Sequence, residues 1–108
     1  MGGVGPRSFD CSGFVYYILN HSGVAISRDM FAQYNSGPHI SSKNLQPGDL
    51  IFFSNTYKRG LSHVAIYIGN GKIVHAENES TGVTISDLWS SYYSSHYTGA
   101  VRPSNYGK

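Results

Sequence analysis

Three side chains in this sequence have the types needed for a nucleophile, a base and an orienting group: Cys11, His63 and His75. Cys11 is the only cysteine among 108 residues. It stands at the head of a helical pattern, because Phe14, Val15, Ile18 and Leu19 follow at helical spacing and form one apolar stripe. Asp10 suits the N-cap, and Gly23 suits the stop just past the end. A cysteine in a first helical turn meets backbone N–H groups and the positive end of the helix dipole. Both favour thiolate over thiol. The same groups can hold an oxyanion when sulfur attacks a carbonyl. The Asp10 carboxylate opposes thiolate formation unless it points away. By itself a single cysteine is more commonly a small buried hydrophobe. Two histidines placed to serve it change that balance.

Their placement turns on one hairpin. His63 to Ile68 is β-branched and aromatic-rich, hence a strand, and Lys72 to Ala76 is its partner across Gly69-Asn70-Gly71. A two-residue Asn70-Gly71 loop would pair Gly69 with Lys72 and Ile66 with His75. His63 and His75 would then lie on opposite faces. A three-residue loop, with Gly71 in the left-handed bulge position, pairs Ile68 with Lys72 and Ala65 with His75. His63 and His75 then become diagonal neighbours on one face, with small Ala65 leaving room for both rings. The expectation is the three-residue loop with positive φ at Gly71. Nucleophile, base and orienter then form the generalised triad. His21, His39 and His96 stand in polar surroundings and receive no role. A zinc site built from Cys11, His63 and His75 lacks the close Cys/His pair of zinc-ligand spacing, so no metal or other cofactor is expected.

Composition narrows the class. The length suits one domain. A formal net charge of +2 is too mild to argue for nucleic acid. Charged residues make up 13%, against roughly 25% in an average soluble domain. Tyr and Gly fill the gap, which suits an exported or surface protein with a groove facing sugar or peptide. A single cysteine excludes an internal disulfide. No apolar run approaches a membrane span, and no charged-then-apolar leader opens the chain. Met1-Gly2-Gly3-Val4-Gly5-Pro6 reads as a cut inside a longer chain, so a signal peptide or upstream domains are expected ahead of it.

The elements that must position the three side chains follow in order. A helix runs from Cys11 to about Ser22. A shorter one carries Met30, Phe31 and Tyr34 on its apolar side, with Ser27 as its cap. Asn35-Ser36-Gly37-Pro38 ends it, and His39 to Asn44 reads as exposed loop. Gln46-Pro47-Gly48-Asp49 is a turn into a buried strand, Leu50 to Phe53. Ser54 to Leu61 is a polar loop with Lys58 and Arg59. After the hairpin come a short strand at Val83 to Ile85, a helical turn or two within Asp87 to Tyr93, and a last strand from Tyr97 to Arg102. Helices first and strands afterwards is an α+β order, with the N-terminal helices on one face of an antiparallel sheet. Trp89, Tyr92 and Tyr93 are candidates for a groove wall, with core packing expected for at least two of them.

These segments together resemble one family. Asp10-Cys11-Ser12-Gly13-Phe14-Val15, Leu45 to Phe53, Ser62 to Gly71, Ile73-Val74-His75-Ala76 and Tyr97 to Arg102 are similar, in order and spacing, to the NlpC-type cell-wall peptidases. The resemblance covers nearly the whole chain. It implies a papain-like fold and cysteine endopeptidase activity on peptidoglycan stem peptides, at the bond from the γ-carboxyl of D-glutamate to a diamino acid. Cys11 falls on the nucleophile, His63 on the base and His75 on the third, polar member. Asp10 and Ser62, flanking the catalytic pair, fall where relatives recognise the stem peptide, and Ser12 is a further substrate-binding candidate. Arg28 and Gln33 match positions after the first helix, with a structural role at least as fitting. The family's tyrosine ahead of its Gly-Gly pair has no counterpart before Gly2-Gly3.

The resemblance therefore implies a single catalytic domain spanning residues 1–108, secreted or wall-associated and monomeric. Its partners would be stem peptides, with no nucleic acid and no membrane span. Two other readings stay open: a wall-binding module without turnover, and an amidase or acyltransferase using the same Cys-His pair.

Overall fold

The computed structural model describes residues 11–56, 58–78 and 82–105, with the side chains of residues 77 and 78 excepted. Asp10, Gly2 and Gly3 lie outside the described residues. The elements run α1 (Cys11–His21), α2 (Met30–Tyr34), β1 (His39–Ile40), β2 (Leu50–Ser54), β3 (Leu61–Gly69), β4 (Lys72–Asn78), β5 (Gly82–Asp87), α3 (Ser91–His96) and β6 (Tyr97–Val101). The α+β class expected from the element order is the one observed.

Helix α1 ends as its sequence dictates. Gly23 has φ +86. Val24 N donates to Leu19 O at 2.8 Å and Gly23 N to Asn20 O at 3.1 Å, the paired bonds of a Schellman stop. Phe14, Val15 and Leu19 are buried, while Ile18 is 37% exposed, so the stripe is narrower than its spacing suggested. In α2 the cap is Asp29 and not Ser27: Asp29 Oδ2 accepts from Ala32 N at 2.9 Å, and Ser27 Oγ accepts from Asp29 N at 3.0 Å. Ser27 therefore holds the capping residue in place. Phe31, expected on the apolar side, faces solvent, and Met30 carries the packing. Residues 39 and 40, expected in a loop, form the edge strand β1, paired with β6 through His39–Val101 and Ile40–Ala100.

The six strands form one sheet in the order β1-β6-β2-β3-β4-β5, with every pair antiparallel. Alternation along the strands divides the core. Leu50, Phe52, Val64, Ile66, Val74 and Val101 pack with Phe14, Val15 and Leu19 of α1 and Met30 of α2. Ile51, Phe53, Ala65, Ile73 and Ala100 pack on the other face with Leu88 and Tyr93. The two N-terminal helices thus share one face, as expected. The Leu88–Tyr93 stretch covers the opposite face, which is why Leu50 to Phe53 is an unbroken buried run.

The hairpin differs from its expectation in an instructive way. Gly69 pairs with Lys72 around a two-residue turn, and Asn70 (φ 55) and Gly71 (φ 73) both take left-handed backbone. This is the type I′ geometry that Asn-Gly favours. The register then shifts between Tyr67 and Gly69, so Tyr67 pairs with Ile73 and Ile66 with Val74. Ile68 is the extra residue of a β-bulge. Continuing that register brings Ala65 opposite His75. The three-residue loop is wrong, yet the face assignment it served is right, because the bulge restores the parity that the turn alone would break.

Candidate active site

The described part of α1 begins at Cys11, which is 6% exposed. Its Sγ lies 3.9 Å from the carbonyl oxygen of Ser62. That carbonyl belongs to the peptide leading into His63, so the His63 backbone nitrogen lies within about 6 Å of the sulfur. Packing of α1 through Phe14 and Val15 against Val64 and Ile66 sets this approach.

His63 and His75 meet as the register requires. His63 Nε2 lies 2.6 Å from His75 Nδ1, with the rings edge to face at 4.9 Å. On its far side, His75 Nε2 lies 2.9 Å from Ser86 Oγ on β5. His75 is fully buried, so pairing of both ring nitrogens is what burial demands. Tyr93 of α3 packs on both imidazoles, 6.3 Å from the His63 ring and 5.3 Å from the His75 ring. Phe53 lies 5.8 Å from His63. Burial first, and the neighbouring His75 second, pull the His63 pKa down to about 3. At neutral pH the His63 ring is therefore uncharged and can accept a proton.

The remaining expected residues separate. Ser62 is fully buried and its hydroxyl is committed to the loop before β3, at 3.0 Å from Thr56 N and 2.5 Å from Thr56 Oγ1. These bonds anchor the loop before β3. Ser12 is half-buried in the first turn of α1, and its carbonyl accepts from Gln33 Nε2 at 3.1 Å. Gln33 also donates to Ser27 O at 2.8 Å, so it ties α1 to the linker before α2. Arg28 is exposed and lies over the Tyr16 ring at 5.6 Å. Lys58 and Arg59 are exposed. Of the three aromatic candidates only Tyr93 is buried; Trp89 and Tyr92 are 47% and 49% exposed, against the expectation that at least two would pack in the core. His21 and His96 bond backbone carbonyls, and His39 packs edge-on against Tyr34. Among the described residues, no three His, Cys, Asp or Glu side chains converge as metal ligands do.

Two residues at the site escaped the sequence reading. Ser86 lies one position beyond the strand expected at Val83 to Ile85, and its contact depends on the β4–β5 register. Tyr93 is a groove or core candidate by residue type, and nothing local signals its contact with the imidazoles.

An antiparallel sheet that sets a helix-borne cysteine against the peptide before a histidine, and pairs that histidine with a second, belongs to the papain-like class of α+β proteins. Within that class the chain belongs to the NlpC/P60 family, whose model matches residues 1–102. It is 44% identical over 102 residues to the probable peptidoglycan endopeptidase LytE of Bacillus subtilis, covering 94% of this chain and 29% of that protein. It is 39% identical over 101 residues to the gamma-D-glutamyl-L-lysine dipeptidyl-peptidase of Bacillus cereus, covering 93% of this chain and 30% of that protein. The crystal structure of an NLP/P60 family protein, similar to lipoprotein, from Staphylococcus aureus superposes with a TM-score of 0.86 at 37% identity, covering 95% of this chain and 35% of that one. The chain spans less than a third of the length of either curated relative.

Proposed function

We propose that this chain is a single catalytic domain, a cysteine endopeptidase that hydrolyses peptidoglycan stem peptides at the γ-D-glutamyl–diamino acid bond, outside the cell or at the wall. The observation that carries the reading is the 2.6 Å bond between His63 Nε2 and His75 Nδ1 on the strand that follows the peptide touching the Cys11 sulfur. Family membership supports the class of chemistry. The two relatives support the substrate, one being named for peptidoglycan and the other for a γ-D-glutamyl bond to lysine.

In this reading His63 takes the Cys11 proton on Nδ1 as sulfur attacks the stem-peptide carbonyl. His75 accepts from His63 Nε2–H and holds the ring in that tautomer. The positive end of the α1 dipole stabilises the tetrahedral oxyanion. His63 then gives the proton to the leaving amine as the C–N bond breaks and the thioester remains. Water, deprotonated by His63, attacks the thioester, and the thiol is regenerated with its proton. The low pKa of His63 fits a neutral imidazole at rest, ready to take a proton. Ser12 and Asp10 remain the proposed substrate-facing neighbours of the nucleophile.

The test is mass spectrometry of purified muropeptides after incubation with the protein. New termini at the γ-carboxyl of D-glutamate and at the diamino acid amine are expected, and Cys11→Ala should abolish them. A cut at the sugar–alanine amide would move the chain to the amidase reading. No cut at all, with an unreactive Cys11, would leave wall binding without turnover.

A further inference from the structure

Helix α3 reads Ser91-Tyr92-Tyr93-Ser94-Ser95-His96. Serine favours caps and turns over helix interiors, so packing must supply what propensity does not. The Ser90 cap accepts from Tyr93 N at 3.4 Å, and Tyr93 is the one buried residue of the helix. Its ring lies 6.3 Å from the His63 ring, with 28° between the planes. It lies 5.3 Å from the His75 ring at 79°, edge to face. The two imidazoles stand at 69° to each other. One flat ring thus fits the corner that the two imidazoles form. Phe53 backs it at 5.2 Å, and the exposed Tyr92 lies beyond it at 5.0 Å.

We infer that Tyr93 is a positioning residue for the reaction: its ring closes the α3 side of the His63–His75 pair, keeps water from the hydrogen bond between them, and holds the His63 ring in one orientation. No other side chain of α3 is buried, so on that side the Tyr93 ring is what separates the imidazoles from solvent. The seal is close: His63 is 6% exposed and His75 not at all. A hydrogen bond sheltered from water is screened less and is stronger for it. Water competing for the bonded nitrogens would free the His63 ring to turn, and a base serves a nucleophile only from a fixed approach. A branched aliphatic side chain would cover the site without offering a plane to either ring. The role belongs to the aromatic ring, and it is the same whichever of the two bonded nitrogens carries the shared proton.

The kinetic arm of the test rests on the proposed peptidase reading, and the exchange arm does not. In the full chain with ¹⁵N-labelled histidine, the proton shared by His63 Nε2 and His75 Nδ1 should give a sharp downfield signal at neutral pH. It should persist when the water resonance is saturated, and coupling between the two labelled ring nitrogens assigns it. Tyr93→Leu removes the plane and should broaden or erase the signal, while the slow backbone amides of Phe52 and Val64 in the core stay slow. It should also lower kcat about tenfold or more, with KM changed less than about twofold. Tyr93→Phe keeps the ring and should recover most of both the protected signal and kcat. A wild-type signal that exchanges rapidly with water would overturn the inference, and that result needs no variant to fold. So would a folded Tyr93→Leu protein with a protected signal and wild-type kcat. Tyr93→Phe as impaired as Tyr93→Leu would overturn it too, by moving the role from ring to hydroxyl. If no form turns over stem peptides, the peptidase reading fails while proton exchange still decides the role of Tyr93.

Discussion

Arg102 grips Asp49 across 53 positions of sequence. Its Nε lies 2.8 Å from Oδ1 and its Nη2 lies 2.9 Å from Oδ2, a two-point pair on a carboxylate that is 1% exposed. The same carboxylate accepts from Gln46 N at 2.8 Å, so one acid joins the turn before β2 to the end of β6. Removing the cation strands a buried charge, which costs more than the pair itself contributes. Arg102→Ala should therefore lower the urea midpoint of unfolding clearly. An Asp49→Asn change added to Arg102→Ala should recover part of that loss. A single variant as stable as wild type would show that the pair only decorates the turn.

His63 predicts how stability depends on pH. Its pKa is lowered from 6.5 to about 3, so the unfolded chain binds more protons than the folded one between those values. Stability must then rise with pH across that window. The contribution of His63 is complete above pH 6.5 and is lost as the pH falls toward 3, with a slope of at most about 1.4 kcal/mol per pH unit. Urea unfolding of wild type and His63→Gln at pH 7, 5.5 and 4 checks this. The stability difference between the two proteins should shrink or reverse as the pH falls. Parallel curves would place the acid sensitivity elsewhere.

Ile68 is 41% exposed and stands outside the strand pairing, between Tyr67–Ile73 and Gly69–Lys72. Deleting it should give a regular two-residue hairpin in which Tyr67 still faces Ile73, so His63 still meets His75. Most of the cleavage activity should survive, at a stability cost of about 1–2 kcal/mol. Gly71→Ala is the contrasting change. It forces a side chain onto φ 73 and against Trp89 Cδ1 at 3.4 Å, and should cost about 1 kcal/mol or more while leaving kcat unaltered. Loss of activity in the deletion with normal folding would mean that the bulge positions His63 in some way beyond parity.

These outcomes also mark how far the sequence could be read. The extent of α1, its glycine stop and the strands from Leu50 onward follow from periodicity and turn residues, which are local signals. The shared face of His63 and His75 was expected from a three-residue loop, and the bulge at Ile68 is what delivers it. That bulge was not legible, because nothing local separates a three-residue loop from a two-residue turn followed by an extra residue. Strand β1 has two residues, too few for any period, and exists only because β6 offers an edge. Ser86 was hidden for the same reason as β1. Its contact is set by the register between β4 and β5, which no local signal specifies. The exposure of Trp89 and Tyr92 depends on how α3 lies on the sheet, which composition does not encode.

His75 itself gives the sharpest separation of the proposed roles. It is sealed from solvent and sits 2.6 Å from His63. Its contribution should therefore be to orientation and tautomer, with substrate binding untouched. An asparagine there keeps an acceptor for His63 Nε2–H, so His75→Asn should retain measurable cleavage. His75→Leu fills similar volume with no acceptor and leaves the buried His63 Nε2–H unsatisfied, which favours the wrong tautomer. Its kcat should fall by about 10²- to 10³-fold with KM little changed. Steady-state kinetics on a γ-D-glutamyl–lysine muropeptide measures both variants. Equal losses in the two would mean that His75 acts through its shape alone, and a rise in KM matching the fall in kcat/KM would make it a binding residue instead.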